Sequence, residues 1–213
     1  MVISDVMTTN VISIPSETSL AEARRILNAH RIRRLPVIDR GRLVGIVTKD
    51  ALDRMGPSKL TTFSIHELAY LVNTITVKEI MRRDVVTVSP DMTVEEGVAL
   101  AQTKGVGSLV VVEGERVVGI ATTNDFFRKV LNPILGIGML GSRIVVRKCY
   151  QGPDIEKVIA TINRLGVRIT NLFIIEFSEV EKHDLVIHLD SEDNIEVIRE
   201  VEKLGCPVER RAR

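Results

Sequence analysis

The feature that most constrains this chain is that its first two thirds are written twice. Residues 3–55 align on residues 77–129 without a gap at a shift of 74, with 11 of 53 positions identical and many others exchanged conservatively. A repeat is read before any local pattern, because each copy sets the expectation for the other. Both copies open on an apolar residue and a methionine (Val6-Met7; Ile80-Met81), then run through a strand-like stretch (Val11–Ile14; Val85–Val88) to a proline, Pro15 or Pro90. A helix follows, announced by the capping boxes Ser19-x-x-Glu22 and Thr93-x-x-Glu96, in which hydroxyl and carboxylate satisfy free N–H groups reciprocally. Next come hairpins, Leu35–Ile38 with Leu43–Val47 and Leu109–Val112 with Val117–Ala121, around Arg40-Gly41 and Gly114-Glu115. A short helix follows Thr48 and Thr122. The unit is β-α-β-β-α, and 53 residues are too few to bury a good core. The two copies are therefore expected to pack on each other as a pseudo-twofold pair.

The remainder differs. Between the copies, at 56–76, Ser64-x-x-Glu67 predicts another capped helix with Ile65, Leu68, Leu71 and Val72 on one stripe. Residues 131–142 (LNPILGIGMLGS) break the pattern. Their Gly136-x-Gly138-x-x-Gly141 follows Asn-Pro and opens a strand, whereas a dinucleotide fingerprint follows a strand and opens a helix; an interdomain joint is expected. Beyond it the periodicity predicts strand Arg143–Lys148, helix Asp154–Leu165, strand Val167–Phe177, a turn at Val180–Asp184, strand Leu185–Leu189, helix Asn194–Leu204 and strand Pro207–Glu209. That order, βαββαβ, is the ferredoxin-like plan. In its sheet order 4-1-3-2 the end of the first strand meets the start of the fourth, which brings Cys149 towards Cys206. The expected chain is a mixed α/β protein with repeats at 1–55 and 77–130, a helical linker at 56–76, a joint at 131–142 and a last domain at 143–213.

Composition excludes several classes. With 29 Lys+Arg against 28 Asp+Glu the net charge is +1, so no general footprint for nucleic acid or membrane phosphate exists. Aromatics make up 3% and Trp is absent, which removes the stacking platforms of single-strand binders. No apolar run approaches the roughly 18 residues of a membrane span, and Met1–Asp5 lacks a basic start followed by an apolar stretch; a cytoplasmic protein is expected. Neither cysteine sits in a metal-ligand spacing, and His183 and His188 are too far apart in the pattern to make a metal pair. No nucleophile with a base and no phosphate-transferring P-loop is present, so the chain is expected not to be an enzyme.

The Met of each start, the capped helix, His30-Arg31-Ile32-Arg33-Arg34-Leu35-Pro36-Val37-Ile38-Asp39 and Gly45-Ile46-Val47-Thr48 together resemble a CBS domain, and two copies resemble a CBS pair, or Bateman module. Ser64–Leu71 running into Val77–Met81 further resembles the AcuB type of CBS protein associated with acetoin utilisation. The resemblance implies a non-enzymatic sensor that binds an adenosine-containing ligand (AMP, ADP, ATP or S-adenosylmethionine) in a cleft between the repeats, with no catalytic cofactor. A ribose diol needs a carboxylate that accepts from both hydroxyls, and a phosphate needs a hydroxyl and N–H groups. Family members supply these from Thr/Ser-x-x-Asp, which the second copy has as Thr122-Thr123-Asn124-Asp125. The first copy reads Thr48-Lys49-Asp50-Ala51, and one residue is about 100° of helical rotation, so Asp50 is expected to point elsewhere. Gly105-Val106-Gly107-Ser108 stands where the first copy has Arg31-Ile32-Arg33-Arg34. One base pocket in the second copy is expected from Thr87, Val106, Ser108, Thr122 and Asp125. Arg33, Arg34, Thr48 and Asp50 would be phosphate partners across the pseudo-dyad or a second site. From the residues alone, Thr122 and Asp125 are equally an N-cap and a first-turn acid, and the arginines a solvated strand edge.

Leu165-Gly166-Val167-Arg168-Ile169 resembles an ACT domain, a family that binds amino acids or dimerises. Gly152-Pro153 replaces the Pro-Gly often found before its first helix, which favours pairing of sheet edges between subunits. A homodimer is expected, with ligand binding relayed through residues 131–142 to the ACT-like surface or to a regulated protein partner. The alternative is a structural interaction protein with vestigial pockets.

Overall fold

The computed structural model describes residues 1–55, 74–149, 151–177 and 182–211, and the chain divides into two compact units, Met1–Phe127 and Arg128–Arg213. The helix expected after Ser64 lies outside the described residues. Among the described residues no helix is long and apolar enough to cross a membrane.

In the first unit the caps work as their chemistry dictates, with one difference between copies. Helix Leu20–Ala29 starts where the Ser19 hydroxyl accepts the Glu22 N–H (3.2 Å), and helix Val94–Thr103 where Thr93 accepts that of Glu96 (3.2 Å). The second box is complete, since the Glu96 carboxylate accepts the Thr93 N–H at 3.2 Å. In the first copy Arg25 draws the Glu22 carboxylate away with two hydrogen bonds of 2.8 and 2.6 Å, so that box is half formed. The hairpins are Arg34–Asp39 (β1) with Arg42–Thr48 (β2), and Ser108–Glu113 (β4) with Arg116–Thr122 (β5). Arg40 and Gly41 both take positive φ (49° and 81°), the backbone a tight hairpin turn demands. The stretches before the helices form less strand than expected. Ile14 alone bridges Val37, and only Thr87–Val88 (β3) joins β4, both in parallel, because the chain turns at once into the helix; the Ser16 N–H donates to Asp39 at 2.9 Å.

The copies are joined by exchanging their first residues. Ile3, fully buried, belongs to the core cluster of the second copy, while Val77 and Met81 belong to that of the first. Backbone bridges Thr8–Ile120 and Ile46–Arg82 fasten the two exchanged segments. Burying side chains of this size contributes about 1.5–3 kcal/mol each, so the exchange is part of both cores rather than a surface contact. It also explains two of the identities between copies. A Cβ on Gly45 would stand 2.6 Å from Met81 Sδ and 3.1 Å from the Arg82 carbonyl, and one on Gly119 would collide with Met7 Sδ. Ile3 lies over Gly97, where a Cβ would come within 2.7 Å of its Cδ1; the repeat-related pair is Val77 with Ala23. A larger residue opposite a smaller one conserves volume across the two copies.

The second unit contains the antiparallel sheet Ser142–Arg147 (β6), Ile169–Phe177 (β7), Lys182–Leu189 (β8) and Val208–Arg211 (β9), in the order β7-β8-β6-β9. Helices Gly152–Arg164 and Ile195–Glu202 connect its strands. Their Val158, Ile162, Val197 and Val201 share one core with Ile144, Val146, Leu185 and Ile187. The element order is therefore βαββαβ and the strand order is the expected one. Asp184, placed by sequence in a turn, lies inside β8 opposite Arg147, which also bridges to Glu209 on β9. Three adjacent strands are thus tied through one guanidinium. Residues 131–142 hold a short helix, Asn132–Leu135, that Gly136 ends at φ 65°. The Asn171 side chain donates to the Pro133 and Ile134 carbonyls at 3.1 and 2.8 Å.

Cys149 and Cys206 meet as the strand order requires. Val146 pairs with Val208 and the Arg147 N–H donates to Pro207 at 2.8 Å; just beyond, Cys206 packs against the core cluster that contains Cys149. Burial, and then Cys206, push the Cys149 thiol up from 9.0 to about 11.

Two outcomes follow from this packing. Gly45→Ala should destabilise the protein by about 1–3 kcal/mol through overpacking. Combined with Met81→Ala it should cost less than the sum of the two single changes, because the second removes the atoms the first strikes; chemical denaturation of the three variants measures this. The second outcome concerns pH. Folded Cys149 holds its proton more tightly than the unfolded thiol, so its contribution is complete below 9.0 and is lost as pH rises towards about 11. Stability should fall between about pH 8 and about pH 10.5, and in Cys149→Ala that fall should be smaller, as urea midpoints at the two pH values would show.

Candidate functional site

The exchange of first residues builds a cleft across the two copies. Because Thr8 pairs with Ile120 on β5, the segment after it, Asn10–Ile12, is carried to the end of β5 and the start of helix Thr123–Phe126. The turn Arg31–Arg34, which leads from the first copy's helix into β1, supplies another wall, with Asp50 beside it. The enclosed volume is about 660 Å³, within the roughly 300–1,000 Å³ of small-molecule sites.

On the second copy's side the cleft is lined by Thr122–Asp125 and Phe127. The Thr122 hydroxyl caps the helix by accepting the Asp125 N–H at 3.3 Å, and Asp125 Oδ2 in return accepts the Thr122 N–H at 2.9 Å and its hydroxyl. Both returned bonds use Oδ2, which leaves Oδ1 without a hydrogen bond among the described residues. Asp125 is therefore a capping acid and a cleft residue at once. The cap holds it still, and the other oxygen can accept.

Opposite stand three arginines. Arg33 donates to the Asp50 carboxylate at 2.9 Å, with both side chains about two-thirds exposed. Arg34 is half-buried, and it reaches over Gly107 so closely that a Cβ there would collide with its guanidinium. Burial, reinforced by Arg33, lowers the Arg34 pKa. The glycine that stands where the first copy has Arg33 is thus what makes room for Arg34. Arg31 takes a left-handed backbone (φ 53°) that its repeat counterpart Gly105 (φ 61°) adopts freely. A side chain there costs about 1–2 kcal/mol.

The expected site residues divide. Thr122, Asp125, Arg33 and Arg34 come together in this cleft. Asp50 lies there too, against the expectation that helical rotation turns it away: the cleft joins Asp50 of one copy to Asp125 of the other, so the rotation between aligned positions does not decide the matter. Thr48, Thr87, Val106 and Ser108 do not line it. Thr87 lies at a smaller cleft of about 310 Å³ with Arg42, Arg83 and Glu115, and Val106 packs against the second copy's core. Ser108 pairs with Thr122 in the β4–β5 ladder, and Thr48 caps its own helix by accepting the Ala51 N–H at 3.1 Å. The cleft thus combines Thr122 and Asp125 of the second copy with the arginines of the first, and its apolar lining includes Val11, Ile12 and Ile120 but not Val106. Thr8, Asn10 and Phe127, which also line the cleft, carried no signal beyond following Met7 and the Thr122 motif.

Comparison with known proteins identifies the repeats. The model of the CBS domain family matches residues 3–55 and 77–132. The inosine-5'-monophosphate dehydrogenase of Korarchaeum cryptofilum is 32% identical over 126 residues, which is 58% of this chain and 23% of that protein. Protein MJ1225 of Methanocaldococcus jannaschii is 32% identical over 133 residues, 60% of this chain and 46% of that one. The chain thus spans less than half the length of these curated relatives. Among solved structures, the CBS domain pair of protein MJ0100, in complex with 5'-methylthioadenosine and S-adenosyl-L-methionine, is 30% identical with a TM-score of 0.50, covering 61% of this chain and 94% of that one. A structure assigned to the acetoin utilization protein AcuB from Vibrio cholerae is 27% identical with a TM-score of 0.52, covering 62% and 91%. With two matched repeats that account for its first unit, the chain belongs to the CBS domain family.

Proposed function

We propose that the chain is a regulatory sensor, without catalytic activity of its own, that binds an adenosine-containing ligand in the cleft between its two CBS repeats. The observation that carries this is the placement of Thr122 and Asp125 in a cleft of about 660 Å³ shared by both copies, with Asp125 fixed through one carboxylate oxygen and the other able to accept from a ribose diol. The MJ0100 pair, to which the chain is similar, is described with two such ligands. Apolar walls for a base come from Val11, Ile12 and Ile120.

The unit Arg128–Arg213 is, in this proposal, an ACT-like module that contributes to homodimerisation and presents a surface to a regulated protein. Its βαββαβ order and the left-handed Gly166 (φ 72°) after its first helix support the assignment. Phe127 lines the cleft and is also the last residue of the first unit, where a five-residue π-helical segment, Phe127–Leu131, begins. Such segments are frequent at functional sites, and this one offers a covalent route from ligand to second unit. A second reading, a structural module with a vestigial pocket, rests on Ala51, which stands in the first copy where the second has Asp125.

Titration with AMP tests the choice. The natural chain should bind and gain thermal stability by mass action, and Asp125→Ala should weaken binding by about tenfold or more through the lost charged acceptor. No binding by any adenosine compound would favour the structural module. Light scattering should give twice the chain mass at micromolar protein if the assembly is a homodimer.

A further inference from the structure

We infer that the cleft selects its adenosine ligand by the charge on the 5′ substituent, accepting a phosphate and disfavouring an uncharged thioether or a cationic sulfonium, with Arg34 as the anchor. This rests on the adenosine reading above and deepens it.

The charges in the cleft are uneven. Three guanidinium groups, Arg31, Arg33 and Arg34, face two carboxylates, Asp50 and Asp125. Asp50 is taken by Arg33 at 2.9 Å, and Asp125 is turned to Thr122. Among the described residues neither Arg31 nor Arg34 has an ion pair. Arg34 is half-buried over Gly107, where a guanidinium loses hydration and recovers it only in part, through the nearby charge of Asp50, which Arg33 already holds. A buried charge in that condition is costly until an anion arrives. A phosphate supplies what it lacks, since the planar fork donates two parallel hydrogen bonds to adjacent phosphate oxygens. A thioether at the same place accepts only weakly, and a sulfonium adds a third positive charge beside Arg31 and Arg34. The backbone supports the same assignment, because Arg31 keeps a long cationic side chain at a left-handed position where the sister copy has glycine.

Asp50 then has a role of its own. It is a resident counter-ion that holds Arg33 while the cleft is empty and competes with the ligand's phosphate for it. Removing its charge frees a second guanidinium without altering the walls that hold adenosine.

Calorimetric titration of the full chain with AMP, 5′-methylthioadenosine and S-adenosylmethionine tests this, because the three share adenosine and differ at the 5′ position. AMP should bind at least about tenfold more tightly than methylthioadenosine, and S-adenosylmethionine no more tightly than methylthioadenosine. The AMP advantage should shrink with added salt. Arg34→Gln should remove most of that advantage while leaving methylthioadenosine binding within about twofold, and Asp50→Asn should raise AMP affinity only. Thermal melting of each variant without ligand confirms folding, and Asp50→Asn, an exposed change, carries the test if Arg34→Gln does not fold. Methylthioadenosine or S-adenosylmethionine binding as tightly as AMP would overturn the inference while leaving the adenosine reading intact, as would an AMP preference unchanged in Arg34→Gln. A natural chain that binds none of the three would overturn the adenosine reading itself.

Discussion

Each CBS repeat of this protein is completed by the other's first residues. Met7 lies against Gly119 and Met81 against Gly45, so closely that neither glycine could carry a Cβ without displacing sulfur or backbone. A single repeat has too little apolar surface to stand alone, and the exchange adds Ile3 to one core and Val77 and Met81 to the other. The methionines and glycines are therefore two halves of one contact. That is why they recur together in both copies although 38 residues separate Met7 from Gly45 and Met81 from Gly119 along the chain.

The position of the cleft is a consequence of that exchange. Once Thr8 is pinned to Ile120, the first copy's start and its arginine turn must face the second copy's Thr122–Asp125. The divergence between copies then becomes intelligible. A pseudo-twofold frame with identical halves would make two equivalent clefts, whereas here Arg34 fills the space that Gly107 vacates, Asp125 has no counterpart in Ala51, and Asp50 neutralises Arg33. Duplication supplied the frame, and substitution on its two sides made it directional.

The second unit is organised by different means. Its sheet places β6 between β8 and β9, and Arg147 on β6 reaches an acid on each neighbour, Asp184 and Glu209. Asp184 is nearly fully buried and Arg147 largely so, where a charge persists only with partners. Just beyond Arg147, at the same end of these strands, Cys149 and Cys206 close the core as apolar side chains.

Much of this was legible in the sequence, because local chemistry decides it. The repeat, the caps at Ser19, Thr93 and Thr122, the hairpins, and the order βαββαβ all depend on neighbours within a few positions or on apolar periodicity. Even the meeting of Cys149 and Cys206 follows from strand order. The half-formed cap at Glu22 escaped because Arg25 competes for its carboxylate, and the strands before the helices shortened because the chain turns there. The site was legible only as a motif. Thr122 and Asp125 could be recognised within four residues, and the arginines placed across the pseudo-dyad from them, but Thr87, Val106 and Ser108 do not line the cleft. Sequence determined that there are two copies, that one keeps the acid, and that arginines replace glycines in the other. Tertiary structure alone decided that Asp50 and the segment Asn10–Ile12 join the arginines at Thr122 and Asp125 while Thr87, Val106 and Ser108 stay outside, because that grouping is set by the exchanged segments, a contact between residues far apart in the chain that no local pattern encodes.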